Sequence, residues 1–149
     1  MKQNRLNLLM RSIESKKIAT DNGTSAHLQM SKIIFQNGDF IGDKNIISKI
    51  KTNNELCEIM GPLSRAEVPL AGYVDGVFLS RRIDRLYINE TTKTVVVLDY
   101  KTDTDKKQYY EKYRVQLTEY YKLLKQIFSE FDIKCKILWL NDFTLENVI

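Results

Sequence analysis

Asp84, Asp99 and Lys101 are the residues of this sequence whose types and spacing point to chemistry. Asp84 stands in RRIDRLYIN, and Asp99 and Lys101 in TVVVLDYKT, two runs rich in Val, Ile, Leu and Tyr that read as strands. The polar stretch Glu90 to Lys93 between them predicts an antiparallel hairpin turning about Thr91 and Thr92. In that register Asp84 faces Asp99, Leu86 faces Val97 and Ile88 faces Val95. Opposed Cβ atoms lie about 4.5–5.5 Å apart, and two carboxylates so placed repel unless a cation lies between them. A divalent metal meets that requirement. Strand alternation puts Lys101 on the face of Asp99, with its ammonium directed at whatever the carboxylates bind. Mg2+ or Mn2+ takes hard oxygen ligands and keeps several waters, so one or two carboxylates and a substrate phosphate suffice to hold it. Such an ion lowers the pKa of a bound water and polarises a phosphoryl oxygen. Lys101 is placed to orient that water, assist its deprotonation or offset charge on the phosphoryl group. Phosphodiester hydrolysis is the chemistry expected.

Taken singly, each residue has a plainer reading. A lone D-x-K on a strand is usually a surface ion pair, and Asp84, flanked by Arg82 and Arg85, would be another. His27 alone is more often a helix-surface histidine than a ligand. Gln116 and Tyr120 lie one helical turn apart, which also suits the edge of a core stripe. Asp103 and Asp105 imitate a metal motif but belong to a polar loop after the strand.

The elements that must position these residues follow from turn signals and periodicity. Leu6, Leu9, Met10 and Ile13 make one helical stripe in a Lys-, Asn- and Ser-rich start, read as a helix or arm over residues 1–22. After the turn residues Asp21 to Gly23, Thr24 or Ser25 caps a helix carrying His27, Met30, Ile33 and Ile34. A second helical stretch runs from Lys44 to Met60, is broken near Lys51 to Asn54, and stops at Gly61-Pro62. From Arg65 the chain reads as strands in AEVPL, YVDGVFLS, RRIDRLYIN and TVVVLDYKT. Tyr109 to Phe128 returns to helical period, with Tyr113, Leu117, Tyr120, Leu124 and Ile127 as its apolar stripe. Ile133 to Leu140 is a last strand. Helix, three or four antiparallel strands, helix and strand predict an α/β fold with a mixed sheet between helices, as one domain over residues 23–149 behind the arm.

Composition narrows the function classes. The 149 residues are 43% hydrophobic, enough to close one core, and the formal charge of +4 with a pI near 9.0 suits a polyanionic partner. Cys57 and Cys135 form no CxxC pair, which excludes a zinc ribbon or iron–sulfur cluster built from this chain alone and favours a reduced, cytoplasmic setting. No segment approaches the roughly 18 apolar residues of a membrane helix, and the apolar run Leu6 to Met10 is too short for a signal-peptide core. No G-x-x-x-x-G-K-[ST] loop is present, so ATP is not an expected ligand.

Five strings in order carry a resemblance: GTSAH, SRAEVPLAG, RRIDRL, VVLDYKT and QLTEYY. Together they resemble the RecB-like nuclease family of the PD-(D/E)xK phosphodiesterases, most closely the C-terminal nuclease domain of AddA-type recombination helicases, over about Gly23 to Trp139. The resemblance implies a restriction-endonuclease-like core and a Mg2+- or Mn2+-dependent DNA nuclease acting in repair, recombination or DNA degradation. It implies His27, Asp84 and Asp99 as metal ligands with the backbone carbonyl of Tyr100, Lys101 as the catalytic lysine, and Gln116 and Tyr120 as the Q-x-x-x-Y pair at the active site. Glu67 matches a glutamate of open role. Arg81 stands where the family usually has glycine. The relatives are parts of helicase–nuclease machines, so a separate helicase or repair subunit is an expected partner. Arg65, Arg81, Arg82, Arg85, Lys106 and Lys107 are expected to contact phosphates. The other reading is a nuclease-like fold without turnover that binds DNA or docks a protein; the presence of all four charged site residues argues against it.

Overall fold

The computed structural model describes residue 23 and residues 25–149, so the arm expected over 1–22 and the candidate cap Thr24 lie outside the described residues. Helix α1, described over residues 25–31, leads into a short hairpin of β1 (Ile34–Gln36) and β2 (Asp39–Ile41). Helices α2 (Lys44–Lys51) and α3 (Asn54–Ile59) follow, then the strands β3 (Ser64–Val74), β4 (Val77–Asn89) and β5 (Thr94–Lys101). Helix α4 (Lys106–Ile127) crosses to β6 (Asp132–Trp139), and β7 (Thr144–Asn147) closes the order. The main sheet runs β3-β4-β5-β6-β7, with β5 and β6 parallel and every other pair antiparallel. This is the expected mixed sheet between helices. Among the described residues no helix is long and apolar enough to cross a membrane.

Local chemistry explains the breaks. Asp43 caps α2 through the Ile46 N–H, and Asn53 caps α3 through the Glu55 and Leu56 N–H groups, so the expected break near Lys51 to Asn54 is a cap between two helices. The expected strand YVDGVFLS is extended as predicted but divided by a turn: Asp75 and Gly76 both have positive φ, 52° and 78°, and join the end of β3 to the start of β4 as a two-residue hairpin connection. Ile33 and Ile34 lie beyond α1, Ile33 buried and Ile34 opening β1. That hairpin and β7 are elements the sequence reading did not anticipate.

The sheet has an apolar layer on each face. On one, α4 lays Tyr113, Leu117, Tyr120, Leu123 and Leu124 onto Ile83, Leu86, Val95, Val97, Ile133, Ile137 and Trp139. Leu123 takes the place expected for Ile127, which is 60% exposed past the last contact. On the other, α1 to α3 bring Met30, Ile33, Ile50, Leu56 and Ile59 against Tyr87, Val96, Leu98, Tyr100 and Leu138. Each fully buried Leu or Ile contributes about 1.5–3 kcal/mol, so these two layers hold the sheet rigid between them.

The β4–β5 register is the expected one, pairing Arg85 with Leu98, Leu86 with Val97, Ile88 with Val95 and Asn89 with Thr94. The Asn89 side chain accepts the Thr91 and Thr92 N–H groups and so sets the turn. The ladder stops one rung short of Asp84 and Asp99. On the other side of β4, the rung of Glu67 and Asp84 is likewise skipped, between the pairs Ala66 with Arg85 and Val68 with Ile83, and Glu67 has φ 55°. Side-chain alternation slips there as well. Ile83 and Leu86 both pack on the α4 side, three residues apart, whereas Asp84 and Arg85 both reach residues of the α1 side.

Candidate active site

The slip delivers Asp84 to His27. His27 sits in the first turns of α1, and its Nδ1 lies 2.7 Å from the Gly23 carbonyl, a geometry in which Nδ1–H donates and Nε2 points to Asp84 Oδ2 at 3.4 Å. The same Asp84 oxygen accepts the Tyr100 backbone N–H at 2.8 Å. A side chain thus takes the amide of Tyr100, two residues past Leu98, the last β5 residue paired with β4. The Asp84 hydrogen bond raises His27 to about 9 against the opposing effect of burial, with the Gly23 and Tyr100 carbonyls adding to the rise. Burial works against the charge of Asp84, but His27 and the Tyr100 N–H outweigh it and hold its carboxyl below the usual range.

Asp99 is 3% exposed and within hydrogen-bonding reach of Asp84. Burial pushes its carboxyl up to about 7; the Lys101 charge opposes the rise and Asp84 adds to it. Lys101 Nζ lies 3.0 Å from Asp99 Oδ2, donates to Gln116 Oε1 at 3.0 Å, and sits 4.2 Å from the centre of the Tyr113 ring. Distance and direction disagree at the first of these contacts: the ammonium is near enough for an ion pair but is not aligned as a hydrogen-bond donor. Direction decides, so Asp99 Oδ2 is a buried oxygen with no hydrogen-bond partner. Gln116 Nε2 donates in turn to the Tyr120 hydroxyl at 2.8 Å, which orients the amide with its oxygen toward Lys101.

All seven residues singled out in the sequence, His27, Asp84, Asp99, Tyr100, Lys101, Gln116 and Tyr120, therefore meet at the edge where β4 leaves β5. Among the described residues no three His, Cys, Asp or Glu side chains form a ready-made cage. His27, Asp84 and Asp99 form a row of neighbouring pairs. A hard cation that keeps its own waters needs no closed cage, and Asp99 Oδ2, buried beside the Lys101 ammonium but with no aligned hydrogen-bond donor among the described residues, is the oxygen such an ion would satisfy. The donor set fits Mg2+ or Mn2+.

Several residues take other roles than those expected. Arg85, expected at a phosphate, is 2% exposed and donates to the Tyr100 hydroxyl, Ser64 Oγ and the Met30 and Ile33 carbonyls. It fastens the end of α1 to β4 and so keeps His27 over Asp84. Arg81, in place of the family glycine, binds Glu119 of α4, and Lys106 binds Asp142 and Thr144. Arg82 stays 69% exposed, 3.8 Å from Glu67. Asp103 and Asp105 lie, as expected, in the polar loop after β5, where Asp105 caps α4 through the Gln108 N–H and Asp103 accepts the Tyr113 hydroxyl. Tyr113, expected only in the core stripe of α4, also lies against Lys101; its signal was its place three residues before Gln116, on the same helical face. Among the described residues, a surface cavity lined by Pro62, Ser64, Arg65, Val68 and Leu86 lies apart from this cluster. An open edge suits a polymer better than a small molecule.

The family model described as PD-(D/E)XK nuclease superfamily matches residues 9–141 of the 149. No curated protein matches the chain.

Proposed function

The chain belongs to the PD-(D/E)XK nuclease superfamily, and on that premise we propose that it is a RecB-like deoxyribonuclease that requires Mg2+ or Mn2+ and degrades DNA from its ends. The carrying observation is the buried Asp99 Oδ2, which lacks a hydrogen-bond partner while Asp84 and the Lys101 ammonium stand beside it. Asp84, Asp99, His27 Nε2 and the Tyr100 carbonyl would hold the ion, which, when bound, supplies a water of lowered pKa and a polarised phosphoryl oxygen. His27 must lose its Nε2 proton to take part, and the Gly23 carbonyl keeps the remaining proton on Nδ1. Lys101, held by Gln116 and the Tyr113 ring, offsets negative charge that grows on the scissile phosphate. Tyr120 fixes Gln116, and Arg85 fixes the helix of His27. The setting we infer is cytoplasmic, with DNA as substrate and a separate helicase or repair subunit as partner.

The test is purified protein with end-labelled linear and covalently closed circular DNA in Mg2+, Mn2+ or EDTA. Linear DNA is degraded with either ion, circular DNA persists, EDTA stops the reaction and ATP changes nothing. Full activity in excess EDTA sinks the metal-dependent mechanism. Binding without cleavage in both ions makes the chain a silent DNA-binding module.

A further inference from the structure

Beyond the catalytic edge, β3 and β4 continue as a two-stranded ribbon with one face covered and one bare. The covered face is held by α4: Leu70 and Leu79 pack into its layer, Leu123 comes within 3.0 Å of where a Gly72 Cβ would lie, Arg81 binds Glu119, and Gln126 donates to the Tyr73 carbonyl. By strand alternation the other face carries three opposed pairs, Tyr73 with Phe78, Ala71 with Ser80 and Pro69 with Arg82, and all six residues are exposed. At the outer end Tyr73 and Phe78 are 66% and 58% exposed, with ring centres 5.4 Å apart in an edge-to-face arrangement. Next come two small side chains, then Arg82, then Asp84, which follows Phe78, Ser80 and Arg82 at period two onto this same face.

We propose that this face is a track for an unpaired nucleic acid strand, with Tyr73 and Phe78 as a stacking platform for bases and Arg82 as a contact for the phosphate entering the site. The inference rests on the nuclease reading above and adds a binding subsite to it. Three features favour this occupant. Tyr73 and Phe78 touch each other across the ribbon but leave most of their surface open, and so offer π-faces to which every base can stack. Between the aromatic pair and Asp84 the face carries Arg82, whose side chain is 69% exposed although Glu67 lies 3.8 Å away, and the chain as a whole has a net charge of +4, which suits a polyanion. The strip runs without interruption into Asp84, six residues from Phe78, or about 20 Å at the rise of a strand. Since α4 clamps the opposite face, the platform is rigid and loses little conformational freedom on binding.

The test is fluorescence anisotropy of a labelled thymidylate 15-mer in EDTA, where binding is read without cleavage, with labelled duplex DNA in parallel. The double variant Tyr73→Ala, Phe78→Ala is expected to bind the 15-mer at least about tenfold more weakly, the order of one lost base stack, and duplex within about twofold of wild type. Cleavage of a dinucleotide, too short to reach the ribbon, stays unchanged. Tyr73→Leu, Phe78→Leu keeps the apolar area without the π-faces and is expected to lose binding as well; if it binds like wild type, base stacking is overturned. Unchanged 15-mer affinity in the alanine variant overturns the track, and if wild type then sediments as a dimer and the variant as a monomer, the face joins two copies of this chain. Equal losses on single strand and duplex also overturn it. A wild type that binds the 15-mer in this pattern but never cuts in Mn2+ defeats the nuclease reading and leaves the track standing.

Discussion

The two ends of the β4–β5 hairpin differ in kind. Toward the turn, from Asn89 and Thr94 to Arg85 and Leu98, the ladder is closed, Val95, Val97 and Leu98 are fully buried, and Asn89 ties down the loop. Past Arg85 the ladder opens, and Asp84, Asp99, Lys101 and His27 crowd into the gap. The same two strands thus carry packing at one end and unmatched charge at the other. The closed end supplies stability that the open end, with its crowded charges, draws down.

Four measurements break or sharpen that contrast. The largest effect belongs to Lys101→Ala, for which turnover falls by about 10²–10⁴ while affinity for DNA in EDTA is retained, because phosphate contacts elsewhere carry binding. Wild-type cutting under saturating DNA would remove Lys101 from the mechanism. Next, Leu98→Ala at the closed end costs about 2–5 kcal/mol in chemical denaturation. Its neighbour Asp99→Asn, in metal-free buffer, melts no lower than wild type, since the amide keeps the shape and removes a buried, repelled carboxyl. A comparable loss in both variants would erase the difference between the two ends.

Third, Mn2+ stabilises wild type by about 2.7 kcal/mol at a hundredfold excess over Kd, and Asp99→Asn gains little. Equal shifts in thermal melts mean that Asp99 is not a ligand. The smallest effect concerns pH. His27 is raised from 6.5 to about 9 by Asp84, so its contribution to metal-free stability is complete below pH 6.5 and lost as pH rises through 9. Asp99, pushed up to about 7, acts with the same sign at lower pH, its ionisation costing stability between about pH 4 and 7. Between pH 7.5 and 9.5 Cys135, pushed up to about 12 by burial, also costs stability as pH rises, so the difference between variants reports His27: wild type declines more steeply across that window than His27→Gln. Parallel curves would show that the His27–Asp84 pair contributes nothing.

Much of the closed end was legible in the sequence and little of the open end. Alternating Val and Leu in TVVVLDYKT and the polar Glu90 to Lys93 set the strand and its register, because both signals are local. The clustering of the seven candidate residues was foreshadowed by that register and by the five strings. What escaped was the slip at Glu67 and Asp84, since a positive φ at a glutamate inside a strand leaves no mark in composition. Arg85 read as a surface cation because a buried guanidinium is betrayed only by the carbonyls of Met30 and Ile33, more than fifty residues away in the chain. The three-residue strands β1 and β2 are too short for a period to register, although Asn37-Gly38 between them is a hairpin signal.

The turn at Glu90 to Lys93 also limits how this protein can change over evolutionary time. The facing of Asp84 and Asp99 is a consequence of loop length, because adding or removing one residue shifts the register and sends every side chain of one strand to the opposite face. Such a change lies about 17 Å along β4 from Asp84 and touches no site residue. Its lineage would nonetheless inherit a parted carboxylate pair. Side chains at the exposed positions Glu90 to Thr92 can change without moving the register, whereas Lys93, at φ 56°, and the length of the loop cannot change so freely.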